Sequence, residues 1–356
     1  MSISSTDAFG RSTGQRFVFR GTGREYFGIW IVNILLTIVT LGIYSAWAKV
    51  RRLRYFLGNT CVLGTHFQYH ATGKQILIGR LIVVGILIVT QILSYLHWTL
   101  SLGISLLFLL VFPWLIVKGL RFSARVISYR NIRFDFTGRV GGAFLAFMVG
   151  GLIAILSLGI LVPITSRWTS RYLINHLRYG DRPFRADLNV QPLYAALLVP
   201  AIVMVFGGVL GGIGLYTVVE ASLHSTDGPH MDVPTAFGSV LPILLIFLYA
   251  VATTYYGAAV RNVVLNATLI DDKHALKSDI SPWRYLWVVF SNLFLTILTL
   301  GLLRPWAAVR EHRYVMQSTG IIVDGDISEV TSAITQSAGN AFSAEYLDVE
   351  GFEFGI

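Results

Sequence analysis

Metal ligation is the first chemistry the sequence raises. His66 and His70 flank Gln68 on a run that alternates at period two, and Glu25 belongs to the same stretch of chain. A zinc centre needs three or four ligands, with their outer groups satisfied in turn. Two histidines on one strand face fall short of that, so their reading is an ordinary polar face. A second cluster, His224, Asp227, His230 and Asp232, sits in an acidic link and reads as a solvated loop. No metal or cofactor is assigned. The sequence also lacks a Ser/His/Asp ordering, a phosphate-binding glycine loop and an HExxH pattern, so no catalytic residue is assigned and the protein is expected not to be an enzyme.

The other polar candidates lie beside or inside apolar stretches. Asn33 and Asn292 occupy equivalent mid-helix places; asparagine there bonds a neighbouring helix or lines a path, and the bonding role is preferred. Thr37, Thr40, Thr296 and Thr299 are expected to bond their own helix backbone. Lys49, Arg51, Arg52, Arg54, Arg167, Arg171, Arg310 and Arg313 follow apolar helices closely. Cations at that depth set topology and can hold anionic lipid headgroups or an acidic partner, at about 1 kcal/mol per residue.

The elements that must position these residues are membrane helices. The chain has 356 residues, 54% apolar and only 13% charged, against roughly 25% charged in soluble domains. Seven stretches approach the ~20 apolar residues a span needs: 27–47, 76–96, 99–117, 140–165, 193–219, 240–260 and 285–303. Tryptophans 47, 98, 114, 168, 283 and 306 cluster near their ends, as an interfacial belt does. The net charge of +9 fits basic cytoplasmic loops better than nucleic acid, because the cations flank spans. A single cysteine, Cys61, excludes an intrachain disulfide. The first 27 residues hold four arginines and no apolar run, so no cleaved signal is expected.

One unit recurs. Phe17 and Phe134, Gly42 and Gly159, Arg54 and Arg171, and Phe67 and Phe184 are each 117 positions apart. A third copy runs through Asn292, Thr299-Leu-Gly301, Trp306, Arg310 and Arg313-Tyr314, 259 positions after its counterparts. Each copy reads as a short strand, an apolar helix, a glycine stop (Gly42, Gly159, Gly301) and a basic amphipathic segment. Both flanks of each repeat helix are basic, while the links 94–98 and 220–239 carry no Lys or Arg. The repeat helices are therefore expected to cross only partly or not at all, leaving both flanks cytoplasmic.

The expected fold is an all-α polytopic membrane protein with about seven hydrophobic helices, a threefold internal repeat and small cytoplasmic β-strand elements. Its segments are a tail (1–14), repeat units (15–75, 118–190, 261–325), transmembrane hairpins (76–117, 191–260) and an acidic tail (326–356). In that tail a helix from Ser328 and a strand near 346–354 are expected, and the acidic arm is expected to dock on the arginine-rich cytoplasmic face.

Several strings carry a resemblance: Glu25-Tyr-Phe-Gly-Ile-Trp30, Leu36-Thr-Ile-Val-Thr-Leu-Gly-Ile-Tyr-Ser-Ala-Trp-Ala-Lys-Val-Arg51, Phe67-Gln-Tyr-His-Ala-Thr-Gly73, Arg130-Asn-Ile-Arg-Phe134 and Thr299-Leu-Gly-Leu-Leu-Arg-Pro-Trp-Ala307. Over about residues 15 to 325 the chain resembles the YjgN family of bacterial inner-membrane proteins, built on a domain of unknown function. The resemblance implies a bacterial inner-membrane location and no activity. Two roles follow as expectations: a passive or lipid-linked transport component, or a scaffold that binds anionic lipid or a partner through its arginine-rich faces.

Overall fold

The computed structural model describes residues 13–96, 98–224 and 233–324. The protein is not all-α. Eleven short strands form one antiparallel sheet: β1 (Thr13–Arg16), β2 (Val18–Phe19), β3 (Thr60–Val62), β4 (Thr65–Tyr69), β5 (Ile127–Tyr129), β6 (Ile132–Phe136), β7 (Leu177–Tyr179), β8 (Arg182–Ala186), β9 (Thr268–Ile270), β10 (His274–Ser278) and β11 (Thr319–Val323). The first strand closes it almost into a barrel. β1 pairs with β11 and β2 with β3, and only Phe17 stands between them, its N–H donating to the Thr319 carbonyl. Closure leaves few free strand edges.

Among the described residues ten helices fill the connections, in pairs: α1 (Gly23–Val39) with α2 (Ser45–Gly58), α3 (Gly73–Leu96) with α4 (Trp98–Arg125), α5 (Val140–Leu156, with a π-helical stretch at Phe144–Val149) with α6 (Val162–Asn175), α7 (Val190–His224) with α8 (Val233–Asn266), and α9 (Pro282–Leu298) with α10 (Arg304–Gln317). The order strand, helix pair, strand thus occurs five times among the described residues, where the sequence led us to expect three units. Each unit is joined to the next by a tight turn, at Leu63-Gly64, Arg130-Asn131, Gly180-Asp181 and 271–273. Two-residue turns of the type that matches strand twist need φ above zero at both central positions. Leu63 and Gly64 have φ 48° and 75°, and Arg130 and Asn131 have 50° and 63°. Because strand direction alternates, every tight turn lies at one rim of the barrel and every helix pair at the other. Thr13 is opposite Val323, so both ends of the described chain lie at the turn rim.

Side chains fill the barrel. Val62, Tyr129, Ile132, Tyr179 and Phe184 are buried there, with Phe17, Phe67, Phe134, Leu276 and Ile321 packed against them. The Tyr179 hydroxyl donates to the Tyr129 carbonyl and the Tyr129 hydroxyl to the Val62 carbonyl, each at 2.7 Å. These bonds tie β7 to β5 and β5 to β3.

Among the described residues four helices, not seven, are long and apolar enough to cross a membrane: Gly73–Leu93, Leu107–Arg125, Val190–Thr217 and Leu241–Asn266. The other three expected spans ran past the end of a short helix into the turn that follows, and 27–47 and 140–165 also into the next helix. α1 stops at Val39, α5 at Leu156 and α9 at Leu298. The stop has the same conformation each time. Leu41, Leu158 and Leu300 take φ near 50° and Gly42, Gly159 and Gly301 take 92°, 88° and 93°. The glycine N–H then donates five residues back, to Thr37, Ala154 or Thr296, which closes the helix end. Thr40, Ser157 and Thr299 next accept the N–H of Tyr44, Leu161 and Leu303 and so start the second helix. Thr37, Thr40, Thr296 and Thr299 also bond the carbonyl four residues back.

Candidate lipid-binding surface

At the three short hairpins, the tips carry the most exposed large hydrophobic side chains among the described residues. Leu41, Leu158 and Leu300 are 95%, 93% and 96% exposed, with Ile43, Ile160 and Leu302 exposed beside them. Such a cluster is costly in water and natural in lipid. α1 has 17 residues, so its hairpin stands ~25 Å above the barrel. Lys49 enters about one turn, ~6 Å, into α2. A hairpin of that height, with cations so near its tip, reaches roughly the middle of a ~30 Å hydrocarbon layer.

Each short hairpin is clamped by a tyrosine. The hydroxyls of Tyr55, Tyr172 and Tyr314 on the second helix donate to the carbonyls of Thr22, Arg139 and Ser281, the residues capping the first helix. Burial, then the Glu25 carboxylate, push the Tyr55 hydroxyl up to about 12, which keeps it a donor. The equal offsets hold the signal for this clamp, although sequence reasoning gave these tyrosines no role.

The candidate cations divide into two groups. Three tie one hairpin to the next: Arg54 reaches the Ala71 carbonyl, Arg167 that of Leu188 and Arg313 that of Gly21, at 3.3, 2.7 and 2.9 Å. Each carbonyl lies two residues before the first helix of the next pair. The same seams hold Trp47 and Trp306, whose rings occupy the space that side chains at Gly73 and Gly23 would need. Arg310 is also engaged, bonding Ser291 and the Asn292 side-chain oxygen. The second group faces outward. Arg51 lies over the Tyr44 ring and Arg52 over Phe56, and Lys49 and Arg171 are exposed.

Asn33 and Asn292 are both buried, yet they differ. Asn292 donates to the Ala307 carbonyl and accepts from Arg310, whereas the Asn33 side-chain oxygen has no partner. His70 bonds Ser128, while the buried Nδ1 of His66 has no partner. Among the described residues no three His, Cys, Asp or Glu gather as metal ligands. Asp227, His230, Asp232, the side chain of His224 and the acidic tail after Asp324 lie outside the described residues.

One of the histidines without a role in the sequence analysis is His312. His312 on α10 packs edge-on against Phe19 and Phe56 and bonds Thr60 at 3.1 Å. Burial, and then Arg52, lower it to about 4. Its neutral form is the folded one, so stability is complete above about pH 6.5 and falls as the pH drops toward 4, by up to about 3 kcal/mol. A melting series of the purified protein from pH 7.5 to 4.5 is expected to show that slope, and His312→Gln to flatten it. An unchanged slope in the variant would assign the acid sensitivity elsewhere.

These features define a class: an integral membrane protein of helical hairpins rooted on one small barrel, with helices long and apolar enough to cross a membrane in two of the hairpins. The chain belongs to the family described as bacterial protein of unknown function (DUF898), whose model matches residues 14–349. That match takes in part of the acidic tail which the resemblance left outside. It is 27% identical to the inner membrane protein YjgN of Salmonella typhimurium over 93% of both chains. It is 25% identical to YjgN of Escherichia coli O157:H7 over 87% of this chain and 89% of that one. A shorter stretch of 127 residues is 37% identical to YjgN of Escherichia coli K12, covering 35% of this chain and 32% of that one. No solved structure matches. The protein is a bacterial inner-membrane protein.

Proposed function

We propose that the protein is a non-enzymatic scaffold of the inner membrane that gathers anionic lipid in the leaflet beside its barrel. The observation that carries this is the sequence of surfaces on the first two short hairpins: a bare leucine tip, then outward cations within about three turns on the second helix, Lys49, Arg51 and Arg52 on one and Arg171 on the other. A tip buried in acyl chains holds the cations at headgroup depth, where each attracts anionic lipid by about 1 kcal/mol. On this reading the barrel is cytoplasmic, since Lys118, Arg121, Arg125 and Arg139 crowd the helix ends nearest it and Arg133 stands on β6 of the barrel itself. The three short hairpins are copies of one unit, as their equal offsets and shared caps and clamps suggest. Transport along the barrel axis is less well supported, because packed aromatic rings occupy that axis.

The test extracts the protein with its surrounding membrane in a polymer nanodisc. Phosphatidylglycerol and cardiolipin are expected to be several-fold enriched over bulk membrane. Neutralising Lys49, Arg51, Arg52 and Arg171 to glutamine should bring that enrichment close to bulk while leaving the melting temperature nearly unchanged. Bulk-like lipid around the unaltered protein would contradict the proposal.

A further inference from the structure

Between α8, α9 and α10 lies a cavity of ≈ 390 Å³, within the ~300–1,000 Å³ usual for ligand sites. Two opposite charges line it without meeting. Arg261 on α8 is held by neutral partners, the hydroxyls of Ser278 and Thr319, both at 2.8 Å, and among the described residues it forms no salt bridge. Glu311 on α10 accepts instead from the Tyr285 hydroxyl at 2.9 Å. Leaving an arginine and a glutamate separated in one partly dry space is costly unless something neutralises both.

The rest of the lining runs upward along α8. Arg261 lies five residues from the barrel end of that helix, and Gly257, Thr254 and Thr253 follow above it. At 1.5 Å per residue the cavity extends from ~8 to ~20 Å above the barrel. It therefore passes from headgroup depth into acyl-chain depth, with charge below and small or apolar groups above.

We propose that this cavity binds one zwitterionic aminophospholipid, its phosphate on Arg261 and its primary ammonium on Glu311, with the chains rising past Gly257 and Thr254. The site is separate from the outward cations of the short hairpins and differs in lipid class, so either idea can fail alone. Phosphoethanolamine is the chemistry recognised; a membrane lipid is the source the upward apolar lining favours.

Delipidated full-length protein in detergent is titrated with phosphatidylethanolamine, phosphatidylglycerol, diacylglycerol, soluble glycerophosphoethanolamine and inorganic phosphate, reading the melting temperature. Phosphatidylethanolamine is expected to raise it most. Arg261→Gln risks the fold, because Arg261 also braces β10 and β11, so two other variants carry the test. A Cβ at Gly257 would meet nothing, and Gly257→Leu is expected to fill the cavity, keep the fold and abolish the phosphatidylethanolamine response. Glu311→Gln should still accept from Tyr285 but lose the preference over phosphatidylglycerol. The soluble ester is expected to act at least about ten-fold more weakly, because it lacks the acyl chains whose burial adds to the affinity. Equal responses to all three lipids, or an undiminished response in Gly257→Leu, would overturn the proposal. Equal potency of the soluble ester or of phosphate would overturn the lipid as the source.

Discussion

Replacing Leu41, Leu158 and Leu300 together by lysine is expected to abolish stable insertion of the protein. A lysine held near the bilayer centre costs about 2.5–3.5 kcal/mol, and at a hairpin tip it has no longer helix along which to reach the near interface. The three tips belong to separate hairpins, so the costs add, to about 8–10 kcal/mol. That is comparable with the whole stability of an ordinary domain, about 5–15 kcal/mol. The yield of folded protein in the membrane fraction should collapse for the triple variant and fall stepwise through the singles and doubles. Alanine at the same positions should be tolerated. Full yield of the triple-lysine protein would mean that the tips emerge into water on the far side.

The next largest effect is expected inside the barrel. Tyr179→Ala removes a buried ring from a core the surrounding strands cannot collapse into, and such truncations cost about 3–5 kcal/mol. It also leaves the Tyr129 carbonyl without its donor. Burial, and then Tyr129, push the Tyr179 hydroxyl well above its ordinary range, so it stays a neutral donor at any working pH. Tyr179→Phe keeps the ring and should cost only about 1 kcal/mol. A melting comparison of the two variants separates packing from the hydrogen bond; equal losses would mean the ring fills no closed core.

The hairpin ends were legible in the sequence because glycine has a narrow conformational use. Gly42, Gly159 and Gly301 mark the stops, though Leu41, Leu158 and Leu300 share the left-handed conformation with them, a place leucine rarely takes. The number of spans was misread for a related reason. A hydropathy window across 27–47 adds the end of α1 to the start of α2 and cannot register the reversal at Leu41-Gly42. The barrel was hidden more deeply. Its strands are two to five residues long, too short to show a period, and its closing pair joins Thr13 to Val323. Alternation at Phe17-Val18-Phe19 and at 66–70 showed that strands exist, without showing that they meet.

At the candidate site, residue type and depth picked out the arginines as a band, yet they could not divide it. Arg54, Arg167 and Arg313 point at carbonyls of the next hairpin, a relation set by how hairpins pack around the ring. Arg261 escaped notice because it stands at the foot of a span rather than within one. Glu311 comes to the same cavity only through the packing of α10 near α8.

The account depends on hairpins that leave the barrel, stop midway and return. The most direct measurement places single cysteines at Leu41, Leu158 and Leu300 in a protein whose buried Cys61 is replaced by serine, with a cysteine at Asp181 on the turn rim as the reference. A membrane-impermeant maleimide is applied to sealed vesicles of each orientation. The Asp181 site should react from one face only and the three tips from neither. A tip that reacts from the face opposite Asp181 would show that its hairpin crosses, and would contradict the account.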